Sequence, residues 1–165
     1  MKVEEFSPNE ERLKLINSVI SDAAALLSQD LEKDSPKEIM SKIYGVVVDL
    51  IFDKSTPIPT DDNPSVLLGA LWGNQLARQF NWYWADVVID DKYDDTAMIS
   101  PNKEMIIFPF SFMRACLEKQ CICTVSLAFN MLLENTLSGI RPNSYENIML
   151  SIHHVIPPYT LQSNG

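Results

Sequence analysis

The stretch from Trp82 to Phe108 leaves the chain little freedom. Tyr83, Ala85, Val87 and Ile89 alternate with Trp82, Trp84, Asp86, Val88 and Asp90. A period of two marks a strand whose two faces meet different surroundings. Asp91 to Asp95 is polar and reads as a turn, and Thr96 to Ser100 as a second short strand. Ser100-Pro101-Asn102-Lys103 is a turn with proline at its second position, and Glu104 to Phe108 is a third strand stopped by Pro109. Connections this short allow only antiparallel pairing, because a parallel pair needs a crossover of about a dozen residues. The expected sheet is a three-stranded antiparallel meander.

Such a sheet needs cover, and both flanks provide helices. Ser7-Pro8-Asn9-Glu10 and Ser35-Pro36-Lys37-Glu38 share the pattern Ser-Pro-x-Glu. Serine caps an orphan N–H, proline pre-sets the first helical position, and glutamate closes a capping box. Leu13, Ile16, Ile20, Ala24 and Leu27 follow the first at helical spacing, and Ile39, Ile43, Val47, Leu50 and Ile51 follow the second. Asn63-Pro64 opens a third helix to about Phe80, with Leu68, Leu71, Trp72, Leu76 and Phe80 on one face. Its other stripe is Gly69, Gly73 and Ala77. Glycine costs a helix up to ~1 kcal/mol relative to alanine, so the stripe predicts a neighbour packed against bare backbone. Beyond the sheet, Ser111 is expected to cap Phe112 to Lys119. Ser126 is expected to start a helix to about Leu137, with Gly139 as its C-cap. Tyr145 to Ile156 reads as a last helix or an edge strand, stopped by Pro157-Pro158. The fold class is α+β: the meander flanked by about five helices in one domain, residues 1–159, with a flexible tail over 160–165.

Charge narrows the partners. The 165 residues carry 22 Asp and Glu against 13 Lys and Arg, a net charge of −9. Phosphate backbones and anionic lipid surfaces repel such a chain, so neither nucleic acid nor membrane is expected, whereas a basic protein is. Met1-Lys2-Val3-Glu4-Glu5 lacks the basic start and apolar run of a signal peptide, and no apolar stretch approaches the ~20 residues that span a bilayer. A cytoplasmic location is the expectation, with Cys116, Cys121 and Cys123 as free thiols.

The usual chemistries lack their residues. His153 and His154 are adjacent, so they point to different sides and share no metal or proton relay. Cys121-x-Cys123 is one residue too short for a zinc knuckle, and no second pair follows it. An EF-hand frame begun at Asp90 puts Asp95 where glycine must turn and Pro101 where the bidentate glutamate belongs. No catalytic residue, metal or cofactor is therefore expected. What stands out is an acidic rim, Asp86, Asp90, Asp91, Asp94 and Asp95, beside the aromatics Trp82, Trp84 and Tyr93. That combination suits an interface with a basic partner.

One stretch carries a resemblance. Leu68-Gly69, Gly73 and Leu76, the Trp84 to Val88 strand, and Phe108-Pro109 before Phe112 and Leu117 are similar to a family of bacterial domains of unknown function. That family has an LG-x-x-x-G helix, a tryptophan strand and a Phe-Pro step into a helix. The resemblance covers about residues 67–133 and implies no catalytic residues. In size, charge and α/β make-up the chain also looks like immunity proteins of bacterial toxin systems. The leading expectation is a non-enzymatic cytosolic binding protein, specifically an immunity protein that neutralises a toxin by protein–protein contact. An acidic secretion-type chaperone is one alternative, and an enzyme using the Asp cluster is the other.

Overall fold

The computed structural model describes residues 1–153. In chain order its elements are β1 (Val3–Phe6), α1 (Glu10–Leu26), α2 (Pro36–Ile51), α3 (Pro64–Phe80), β2 (Tyr83–Ile89), β3 (Tyr93–Ile99), β4 (Met105–Ile107), α4 (Pro109–Leu117), α5 (Val125–Leu133), β5 (Glu146–Asn147) and α6 (Ile148–His153). The proline stop, the tail over 160–165 and His154 lie outside the described residues.

The α+β class holds, and the sheet is larger than the meander. It has five strands in the order β1-β2-β3-β4-β5. The expected strands β2, β3 and β4 pair antiparallel, β1 adds antiparallel to β2, and β5 adds parallel to β4. The three-stranded, wholly antiparallel sheet is thus corrected to a five-stranded mixed one with six helices among the described residues. Both additions are short segments whose extended form comes from pairing with a distant strand, which no local pattern announces. The segment after Tyr145 is both things its sequence suggested, a two-residue strand and then a helix.

The helix ends follow local chemistry, with corrections at α1, α4 and α5, the last starting at Val125 rather than at Ser126. Ser35 and Glu38 form the full capping box of α2, and Asn63 caps α3 ahead of Pro64. In front of α1 the cap is Asn9, whose side chain accepts from the Arg12 N–H, because β1 uses the chain up to Phe6. Helix α4 starts at Pro109 rather than after Ser111, whose hydroxyl is turned to Asp95. Helix α5 ends at Leu133, and the left-handed residue just past it is Asn135, not Gly139.

The helices cover one face of the sheet. Trp84, Met98 and Ile107 join the helical core of Leu68, Trp72, Met113 and Phe129. Gly69 and Gly73 explain the tight fit. A Cβ on Gly69 would stand 3.0 Å from Phe110 and the Pro109 carbonyl, and one on Gly73 would stand 2.3 Å from the Trp84 ring. Trp84 in turn stacks on Phe110 at 5.6 Å. The glycines, the tryptophan strand and the Phe-Pro step of the sequence resemblance thus form one joint. The opposite face carries a second cluster of Ala85, Val87, Ala97, Ile99 and Ile106, with Tyr83 and Tyr145 packed on it.

Candidate functional site

The acidic hairpin is tighter than its composition suggested. Only Asp90, Asp91 and Lys92 form the loop, closed by the Lys92 N–H donating to the Ile89 carbonyl at 3.0 Å. Asp90 and Asp91 take positive φ (52° and 57°), a conformation aspartate tolerates better than most residues. Asp94 and Asp95, expected in the turn, belong to β3 opposite Val88 and Val87. Both nevertheless line the same clefts beside the hairpin.

Each aspartate has its own surroundings. Asp86 pairs with the Arg12 Nε at 3.2 Å. Thr96 links the two: its hydroxyl donates to Asp86 and accepts from the Arg12 guanidinium. The Lys2 backbone N–H donates to Asp90 at 2.7 Å, and the Lys2 ammonium reaches Asp91 at 3.1 Å and Glu4 at 2.9 Å. The Lys2 ammonium holds the Glu4 carboxyl below its ordinary value, and Glu4 and then Asp91 hold the Lys2 ammonium above its own. Asp95 accepts from the Ser111 hydroxyl at 2.7 Å and from the Thr96 N–H. Asp94 has no hydrogen-bond or ion-pair partner among the described residues and lies at the meeting point of three clefts.

One of those clefts combines the expected properties. It measures about 420 Å³ and opens where β4 ends and leaves the β3 edge free. Tyr93, Ile89, Phe112, Met149 and Leu150 make its apolar wall, while Asp94, Asp95, Ser111 and Asn147 make its polar side. Tyr93 is 69% exposed and Leu150 64%, two large apolar groups beside an unanswered carboxylate. Trp82 and Trp84, grouped with this rim on sequence grounds, sit elsewhere: Trp82 is buried and Trp84 fills the Gly73 joint. Ser111, Phe112, Asn147, Met149 and Leu150 carry no sequence signal for this site, because only the folding of α4, β5 and α6 against the rest of the sheet brings them to Asp95. A separate cleft of about 460 Å³ between α1 and α3, with Asp22 and Asp62 at its rim, holds none of these residues.

A second polar constellation lies on the other face. Glu5 of β1 accepts from the hydroxyls of Tyr83 (2.7 Å) and Tyr145 and pairs with Lys103 at 2.9 Å. Burial pushes the Glu5 carboxyl up, but Lys103 and the two tyrosine hydroxyls outweigh it and hold it below the ordinary range. Burial and Glu5 together raise both tyrosines. Every member has a partner within the group, so this is a clasp over the second apolar cluster rather than an open site. Among the described residues no cluster of three or more His, Cys, Asp or Glu is arranged to hold a metal ion. None of their helices is long and apolar enough to cross a membrane.

No family model and no curated protein matches the chain. A crystal structure from Bacteroides thetaiotaomicron VPI-5482 at 1.50 Å resolution has a similar fold, with a TM-score of 0.56 and 16% sequence identity. The match covers 82% of this chain and 48% of that one, so the chain spans about half the length of its structural neighbour. At that identity the likeness concerns the fold alone.

Proposed function

We propose that this protein is a non-enzymatic binder of a basic protein partner, of the immunity type, and that it receives the partner at the Tyr93–Leu150 cleft. The observation that carries the reading is the pairing of exposed Tyr93 and Leu150 with Asp94, a carboxylate without a partner among the described residues. Exposed aromatic and aliphatic groups anchor a partner's apolar side chain, and the carboxylates around them select a flanking lysine or arginine. The net charge of −9 steers a basic protein toward the surface at long range. Toxin nucleases bind anionic backbones, so an acidic surface of this kind competes for the same basic groups.

The test uses short cationic peptides with and without one central phenylalanine, passed over immobilised protein at low and at physiological salt. The phenylalanine peptide is expected to bind more tightly, to weaken as salt rises, and to lose binding to Tyr93→Ala and to Asp94→Asn/Asp95→Asn. Equal binding of both peptides, or unchanged binding by these variants, would remove the cleft from the reading. A natural partner bound through these residues should arrest growth when expressed alone and be harmless when co-expressed with this protein. A partner that is harmless by itself would argue for binding without immunity.

A further inference from the structure

The three cysteines, spread along the sequence from the end of α4 into the loop before α5, come together for a backbone reason. Helix α4 stops in a left-handed turn: Lys119 takes φ 60°, its N–H donates to the Cys116 carbonyl at 3.0 Å, and the Gln120 N–H donates to the Ala115 carbonyl at 2.9 Å. This reversal ends a helix by satisfying two orphan carbonyls, and it folds the following residue back over the last turn. That following residue is Cys121. Its sulfur lies 3.6 Å from the Cys116 sulfur, in contact and unbonded. Cys116 is fully buried in the helical core, whereas Cys121 is partly exposed. The two thiols therefore have unequal access to solvent and immediate access to each other.

We infer that Cys116 and Cys121 form a hydroperoxide-sensitive dithiol, in which Cys121 is the thiol that meets a hydroperoxide from solvent and attacks it, and Cys116 the thiol that resolves the product. Cys121 ionises and its sulfur attacks the terminal oxygen of a hydroperoxide. The O–O bond breaks, an S–O bond forms, and the departing alkoxide takes a proton to leave as alcohol, or as water from hydrogen peroxide. The Cys116 sulfur then attacks the sulfenic sulfur. The S–S bond forms, the S–O bond breaks, and water leaves with the Cys116 proton. Two electrons pass from the pair to the hydroperoxide. The sulfurs must close from contact at 3.6 Å to a bond of ~2.05 Å. The sulfur contacts of Cys116, with burial, hold its own ionisation far above the ordinary thiol value, while contact with Cys116 lowers both Cys121 and Cys123 against the opposing effect of burial.

Peptide mapping tests the assignment. Reduced protein is treated with hydrogen peroxide, quenched in acid, alkylated and cut with trypsin. Cleavage after Lys119 puts Cys116 in one peptide and Cys121 with Cys123 in the next. The expected product has lost two hydrogens, joins the two peptides, and carries its single alkyl group on Cys123. The Cys123→Ser variant should cross-link like the wild type, and Cys121→Ser should not cross-link at all. A disulfide between Cys121 and Cys123, a cross-link that needs Cys123, sulfinic acid on Cys121 without a cross-link, or no oxidation of either residue would each overturn the inference.

Discussion

Replacing Gly73 with alanine sets two effects of opposite sign against each other, and the structure says which wins. Alanine is favoured over glycine inside a helix by up to ~1 kcal/mol, so an exposed site should gain stability. Gly45, in the middle of α2 with nothing within 4 Å of its Cβ position, is that exposed site. At Gly73 the same Cβ would stand 2.3 and 2.4 Å from two atoms of the Trp84 ring. Carbon contacts are comfortable only at ~3.5–4.0 Å, so the ring has to retreat by more than ~1 Å. It has nowhere to go cheaply, because the ring is also stacked on Phe110. Overpacking of this kind costs ~1–3 kcal/mol. Both variants share the intrinsic gain, so Gly73→Ala should fall below Gly45→Ala by that amount. For a chain of this size each kcal/mol is ~2–4 °C in Tm. Urea unfolding followed by Trp fluorescence gives the two midpoints, and a Trp84→Leu background tells whether the ring is the cause. There, Gly73→Ala should become neutral or stabilising. Equal midpoints for the two alanine variants, or no change in the Trp84→Leu background, would refute the argument.

Three further outcomes follow from the geometry. Ser35→Ala removes one half of the α2 capping box and should lower stability by ~1 kcal/mol, whereas Ser7→Ala, which caps nothing, should leave the urea midpoint unchanged. Because Glu5 is held below its ordinary value, its contribution to stability is complete above the unfolded value of ~4.3 and is lost as pH falls through the folded one. Acid titration of Glu5→Gln should therefore show a shallower loss of stability than the wild type. A residual slope should remain from Glu4, which Lys2 holds low, and from Glu104, where the Ser100 hydroxyl helps outweigh burial. Changing Asp90, Asp91, Asp94 and Asp95 together to asparagine should slow association with a basic partner by about tenfold at low salt and flatten its salt dependence, with far-UV circular dichroism unchanged. Stopped-flow association reads both, and an unchanged salt slope would place the electrostatic contact elsewhere.

The elements legible in the sequence were those whose signals are local. The Ser35–Glu38 box and the Asn63-Pro64 start mark helix ends in a few residues, and the glycine spacing of α3 announced a close neighbour without naming it. Strand β1 was hidden because Val3–Phe6 has no pattern of its own and becomes a strand only against Val87 and its neighbours. Asp94 and Asp95 misled for the complementary reason. Aspartate is depleted in strands, so composition favoured a turn, yet pairing with Val88 and Val87 outweighs that preference. The aromatic–acidic rim was visible in Tyr93, Asp94 and Asp95, but the cleft was not. Its other wall, Phe112, Met149 and Leu150, arrives from two helices that the sequence places far from the hairpin.

The edge position of β1 has a consequence for how the chain acquires its shape. Residues of β1 are synthesised before α1, α2 and α3, and their partner β2 comes only after all three, with Val3 waiting for Ile89 and Glu5 later for Tyr145. Until then the segment has nothing to pair with, while each helix can form from its own neighbours. Non-local pairing of this kind sets the pace of folding, since the intervening chain must be ordered or looped before the contact repays its closure. In the interval one side of the β2–β3 hairpin is bare, and a nascent β2 exposes the same unsatisfied backbone groups to any other extended segment nearby. The first residues therefore act as a late-arriving selvedge: whatever delays their docking lengthens the time during which the unfinished sheet invites a stranger's strand.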